Sequence, residues 1–195
     1  MKKIAVIGPE STGKSTLCEL LAQHYRMQWC PEFAREYLLT NGMDYDYEDL
    51  LSIAKGQLAL EDEFTALVTS QWSARDGNIS INPVSLETSS HAPMLFIDTD
   101  MYVMKVWCEY VFGKCHQFII DQIVSRRYDL YLLCNTDLPW VKDELREYPD
   151  LAVRNQLFRV YKDLLINQHI PWVEISGNDE DRLLLAIDAV EEFIF

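Results

Sequence analysis

Basic residues are scarce in this sequence: 17 Lys and Arg stand against 31 Asp and Glu, a formal net charge of −14. That balance excludes general binding to a nucleic-acid backbone, which needs clustered cations. Any site for a polyphosphate must therefore make its own local positive field. No stretch approaches the ~20 consecutive apolar residues of a membrane-spanning helix, so no membrane partner is expected. The apolar run that follows Met1-Lys2-Lys3 ends at Gly-Pro-Glu, too soon for a signal peptide. The five cysteines, Cys18, Cys30, Cys108, Cys115 and Cys134, never stand at C-x-x-C spacing and make an odd count. They read as reduced thiols of a cytoplasmic protein. Histidine is scattered and forms no H-E-x-x-H, which argues against structural zinc. The remainder is ordinary, with 49% hydrophobic and 25% charged residues in 195 positions, enough for one domain over 1–195 with a substantial core.

Against that acidic background one stretch carries clear chemistry. Gly8-Pro-Glu-Ser-Thr-Gly-Lys-Ser-Thr16 follows the apolar run Ile4–Ile7 and fits G-x-x-x-x-G-K-[ST]. Gly8 and Gly13 permit torsions that turn successive backbone N–H groups toward an anion. The helix expected to start near Ser15 adds its N-terminal dipole. Lys14 is placed to meet the β- and γ-phosphates of ATP, and the Ser15 hydroxyl to ligate Mg²⁺. Glu10, Ser11, Thr12 and Thr16 complete the expected nucleotide-binding loop.

Five strands alternate with helices along the chain, at Ile4–Ile7, Met27–Cys30, Met94–Asp98, Leu130–Cys134 and Val173–Ile175. The alternation predicts an α/β protein with a parallel sheet covered on both faces. Asp46 is expected to cap a long helix from Tyr47 to about Gln71, with Leu50, Leu51, Ala54, Leu58 and Leu67 on its apolar stripe. Ser73–Pro93, rich in Ser, Thr, Asn and Pro, reads as a mobile surface insertion. Residues 135–150 form a polar connection between the fourth strand and the next helix.

Ligands of open parallel sheets bind beyond the carboxyl ends of the strands. Asp98 ends the third strand, where P-loop proteins handle Mg²⁺ or the attacking group; alternatively, Asp98 and Asp100 only cap the next helix. Glu32 is either a general base or ribose ligand, or a first-turn acid that favours the helix dipole. Arg146 and Arg154 flank the junction after the fourth strand. They either close over the transferring phosphate or pair with Glu144, Glu147 and Asp150. Trp107 and Tyr110 share a helical face and are either core residues or a platform for a ligand ring.

The chain resembles the ribosylnicotinamide kinase domains of the NadR family and their stand-alone ATPase-like relatives. The stretches that carry the likeness are GPESTGKSTL, PEFAREYL, IAKGQ, DTDMYVMKVWCEYVFGKC, YDLYLLCNTDLPWVKDELRE and ISG, in order over nearly the whole chain. The resemblance implies a P-loop kinase fold and transfer of the ATP γ-phosphate to the 5′-hydroxyl of nicotinamide riboside. It places Lys14 and Ser15 on phosphate and Mg²⁺, and Asp98, Asp100 and Glu32 on the nucleoside. It also places Arg146 and Arg154 in a lid over residues 135–150, and Trp107 and Tyr110 against the cationic nicotinamide ring. The adenylylating and DNA-binding parts of the bifunctional family members have no counterpart in these 195 residues. Two other readings stay open: a regulatory P-loop ATPase that switches shape around a protein partner, and a kinase for another small nucleoside.

Overall fold

The computed structural model of the chain describes residues 1–76 and 92–195. The expected Ser73–Pro93 insertion therefore falls largely, over 77–91, outside the described residues. Its first residues belong to a helix, contrary to the expected end at Gln71.

Five strands form the sheet: β1 (Lys2–Ile7), β2 (Gln28–Cys30), β3 (Met94–Asp98), β4 (Leu130–Cys134) and β5 (Trp172–Ile175). They lie in the order β2-β3-β1-β4-β5, every pair parallel. Because side chains alternate across a strand, β1 feeds both layers of the core. Ile4 and Val6 pack on α1 (Lys14–Tyr25) and α7 (Asp179–Ile194), through Leu17, Leu21, Ala186 and Val190. Ala5 and Ile7 pack on the opposite layer, with Val68, Val106 and Leu157.

That second layer holds α3 (Tyr47–Asp76), α4 (Met101–Phe112) and α6 (Leu151–Ile166). Two shorter helices, α2 (Phe33–Asn41) and α5 (Gln117–Ser125), extend it through Leu38, Leu50, Ile53, Met104 and Ile119. Asp46 caps α3 as expected, accepting from the N–H groups of Glu48 and Asp49. One stripe position differs from expectation, since Leu67 is 40% exposed and Val68 takes the inward place. Gly56 lets α3 approach α2, because a Cβ there would lie 2.0 Å from the Phe33 ring.

The chain thus builds from β1 outward to β2, returns to β3 and crosses to β4. All of the carboxyl ends open on one edge of the sheet, and the site forms there.

Candidate active site

Gly8 leaves β1 at φ 144°, and a Cβ on it would lie 2.7 Å from the Cys134 carbonyl. Only glycine lets the loop turn so close to β4. Thr12 Oγ1 donates to the Pro9 carbonyl at 2.7 Å and Gly13, at φ 76°, opens α1. The backbone N–H groups of Glu10 through Thr16 donate to no protein group among the described residues. These are the donors a polyphosphate needs, so the cradle fits ATP. Gly8→Ala is expected to cost about 1–3 kcal/mol of stability and to abolish tight binding of a non-hydrolysable ATP analogue. Wild-type affinity by calorimetry would refute the close-approach argument.

Behind the loop stands Arg182, a residue the sequence reading passed over. It is buried on α7 and donates to the carbonyls of Thr12 at 2.9 Å, Asn135 at 2.9 Å and Gly177 at 2.8 Å, and to Asp137. One guanidinium thereby ties the phosphate loop to the loops after β4 and β5.

At the end of β3 the two acids of Asp98-Thr99-Asp100 part company. Thr99 adopts φ 77°, a left-handed conformation that a β-branched residue rarely takes. The turn sends Asp98 toward the phosphate loop, where Ser15 Oγ donates to its Oδ2. Burial raises the Asp98 carboxyl to about 6, with Lys14 opposing and Glu32 adding to the rise. This pairing of Ser15 and Asp98 offers two oxygen donors for Mg²⁺ beside the phosphate cradle.

Asp100 is turned the other way. Its Oδ1 caps α4 by accepting from the N–H groups of Tyr102 and Val103, and its Oδ2 accepts from Tyr131 Oη. It does not line the cavity. The expectation that Asp100 serves an acceptor is therefore corrected: the Thr99 turn spends this acid on the helix.

Glu32 lines the cavity and accepts weakly from Thr99 Oγ1 at 3.4 Å. It stands at the N-cap of α2, yet its side chain makes no capping bond. Gln57, buried on α3, fixes this corner. It accepts from Phe33 N at 2.7 Å and donates to the carbonyls of Pro31 and Asp98.

Residues 135–150 fold down over the loop. Glu10 holds them, accepting from Trp140 Nε1 at 3.1 Å, Glu147 N at 2.9 Å and Tyr148 N at 2.6 Å. Ser11 Oγ accepts from Val141 N and from Arg146. Glu10 and Ser11, expected on the nucleotide, here bind protein groups through their side chains. Arg146 lines the cavity and makes no ion pair among the described residues.

Arg154 is 1% exposed; its Nη2 donates to the carbonyls of Thr136 and Leu138, while Nε and Nη1 lack partners. Burial pushes its pKa down from the usual value. Across the segment, Arg35 of α2 pairs with Asp143 at 2.9 Å. Glu10→Ala is expected to release residues 140–148 and to raise the rate of tryptic cleavage after Lys142 and Arg146 about tenfold or more. Equal cleavage rates would refute the tether.

The other end of the cavity is aromatic. Trp107 and Tyr110 both line it, together with Val106 and Tyr148, while Trp29 lines the cavity from the α1 face of the sheet. Trp107 Nε1 donates to Tyr45 Oη at 2.9 Å, and Tyr45 donates to Glu147 at 2.8 Å. Tyr148, not singled out from sequence, stands edge-on to Tyr110 with ring centroids 5.3 Å apart. The cavity of about 360 Å³ is lined by these rings, by the phosphate loop and by Asp98 and Glu32.

A P-loop protein with a covered parallel sheet and a nucleotide cradle is the class these features define. Residues 3–182 match the AAA domain family, and the chain belongs to it. It is similar to the trifunctional NAD biosynthesis/regulator protein NadR of Escherichia coli (strain K12), 27% identical over 199 residues, which cover 100% of this chain and 43% of that protein. NadR of Salmonella typhimurium is 26% identical over the same shares. The chain thus spans less than half the length of the curated relatives it matches.

Among solved structures, NadR in complex with NR superposes with a TM-score of 0.69 at 24% identity, covering 99% of this chain and 49% of that one. NadR with NAD and AMP-PNP gives 0.62 at 22% identity, covering the same shares. Thymidylate kinase from Ehrlichia chaffeensis gives 0.61 at 14% identity, over 97% of this chain and 98% of that one. The five-stranded α/β fold is that of these P-loop kinases.

Proposed function

We propose that this protein is a kinase that transfers the γ-phosphate of ATP to the 5′-hydroxyl of nicotinamide riboside, forming nicotinamide mononucleotide. The observation that carries the reading is one cavity lined by the phosphate loop, by the carboxylates of Asp98 and Glu32 and by the rings of Trp107, Tyr110 and Tyr148. A nucleoside laid across it puts its base among Trp107, Tyr110 and Tyr148 and its 5′-hydroxyl at the phosphate end. A cationic pyridinium gains from the aromatic faces, and the acidic surroundings favour its charge. The likeness to NadR supports the same acceptor.

In this reading the loop amides and Lys14 hold the β- and γ-phosphates. Ser15 and Asp98 would hold Mg²⁺, which when bound neutralises phosphate charge. As the 5′-oxygen bonds to the γ-phosphorus, its proton passes to the Glu32 carboxylate, which is not engaged by the cation. The bond from the γ-phosphorus to the bridging oxygen breaks, and ADP leaves. Residues 135–150 act as a lid, bringing Arg146 over the transferring group and excluding water. Arg154 does not line the cavity; it supports this segment from behind through the carbonyls of Thr136 and Leu138.

The test is ADP release from ATP over a panel of nucleosides. Acceptor-dependent release is expected with nicotinamide riboside. Release that favours another nucleoside would reassign the acceptor. Release no faster with any nucleoside than without would overturn the kinase reading and favour a regulatory ATPase.

A further inference from the structure

Tyr161 lies on the inner face of α6 at 4% exposure and lines the cavity beside Leu157. Val103 and Val106 of α4 and Leu157 of α6 are in the same apolar cluster. Its hydroxyl makes no hydrogen bond among the described residues. The contrast with its neighbours is instructive. Tyr128 donates to Glu61 at 2.9 Å and Tyr131 donates to Asp100 at 3.1 Å, so other buried phenols of this layer are satisfied.

The Tyr161 oxygen is not sealed in the core but keeps contact with the space of the cavity its residue lines. The ring explains the packing, and the hydroxyl is left to be explained by whatever fills the cavity. Burial, with the Asp100 and Glu32 carboxylates nearby, keeps the phenol protonated, so it is available as a donor.

Its place along the cavity says which part of a ligand it meets. Val103 and Val106, one turn before Trp107 and Tyr110 on α4, share its apolar cluster, and the Glu32 carboxylate is close enough to raise its pKa. The middle of the cavity is where a nucleoside's sugar must sit if its base is among the aromatics and its 5′-hydroxyl is at the phosphates. We infer that Tyr161 donates a hydrogen bond to a secondary hydroxyl of the acceptor's sugar, and so makes the site select ribosides over deoxyribosides. This rests on the nucleoside-kinase reading above and adds to it the residue that discriminates the sugar. A site built to bond a hydroxyl discriminates strongly against an analogue that lacks it.

The experiment compares the full-length wild type with Tyr161→Phe, measuring kcat and KM for a riboside and for its 2′-deoxy and 3′-deoxy analogues. In the wild type, kcat/KM is expected to fall about 10- to 100-fold for one of the two deoxy analogues. In Tyr161→Phe, the riboside should lose about that factor and the discrimination should collapse toward unity, with the KM for ATP unchanged. Each ratio is taken within one protein, so a reduced folded fraction cancels. An unchanged ratio in Tyr161→Phe, or an equal loss for all three acceptors, overturns the inference and leaves the kinase reading standing. A wild type that phosphorylates no riboside overturns both.

Discussion

Replacing Lys14 by methionine is expected to lower acceptor phosphorylation about 10³-fold while leaving the fold intact. The ammonium is the cation of the phosphate loop, and it makes no ion pair among the described residues; its nearest bond is to the Pro9 carbonyl, at 3.3 Å. A charge with no direct ion pair, beside an array of unbonded amides, is reserved for an anionic ligand. Methionine keeps the length and apolar stem, so the loop packs as before. What disappears is the point charge that follows the γ-phosphate as negative charge shifts during transfer. Thermal melting without nucleotide should be unaltered, and kcat from coupled ADP release should carry the loss. A variant within tenfold of the wild type would remove Lys14 from the chemistry.

Asp98→Asn is expected to reduce kcat about 10²- to 10⁴-fold, with binding of an ATP analogue in the absence of acceptor far less affected. The substitution keeps the shape and still lets Oδ1 accept from Ser15. It removes the negative charge and most of the proton affinity. The folded protein should not suffer, because burial opposes the ionised carboxyl and an amide avoids that cost. Activity and stability therefore move in different directions, which separates a chemical role from a structural one. If Asp98→Asn melts lower and turns over normally, the acid belongs to the scaffold. Glu32→Gln extends the same logic to the second carboxylate, whose contact with Thr99 is long and leaves it able to reorient.

The phosphate loop was legible because its determinants are contiguous: a strand, two glycines, a lysine and a helix start within one stretch. The order and type of the strands were legible for a similar reason, since buried parallel strands are short apolar runs between turns. Asp100 was misjudged because its direction depends on the torsion of Thr99, which the residue type disfavours. Gln57, Arg154, Tyr161 and Arg182 act through tertiary contacts between distant segments, yet each left a trace. Gln57 and Glu61 continue the inward phase of Leu50, Ile53 and Ala54. Arg154 and Tyr161 share a stripe with Leu157 and Leu165, and Arg182 shares one with Ala186, Ala189 and Val190. A polar residue in the apolar phase of a helix is the signal that would have found Gln57, Tyr161 and Arg182, and that would have shown Arg154 to be buried. Tyr148 left no such trace, because the segment that carries it has no periodicity.

The bond from Tyr148 N to Glu10 links the phosphate loop to the aromatic wall of the cavity. On the kinase reading, Glu10 belongs to the loop that takes the donor and Tyr148 to the wall that takes the acceptor. A nucleotide that displaces the Glu10 carboxylate also displaces the aromatic ring facing Tyr110. By linkage, an acceptor that fixes Tyr148 must alter the affinity for nucleotide by the same factor. On that reading, one side chain of the phosphate loop would couple the affinities for ATP and acceptor.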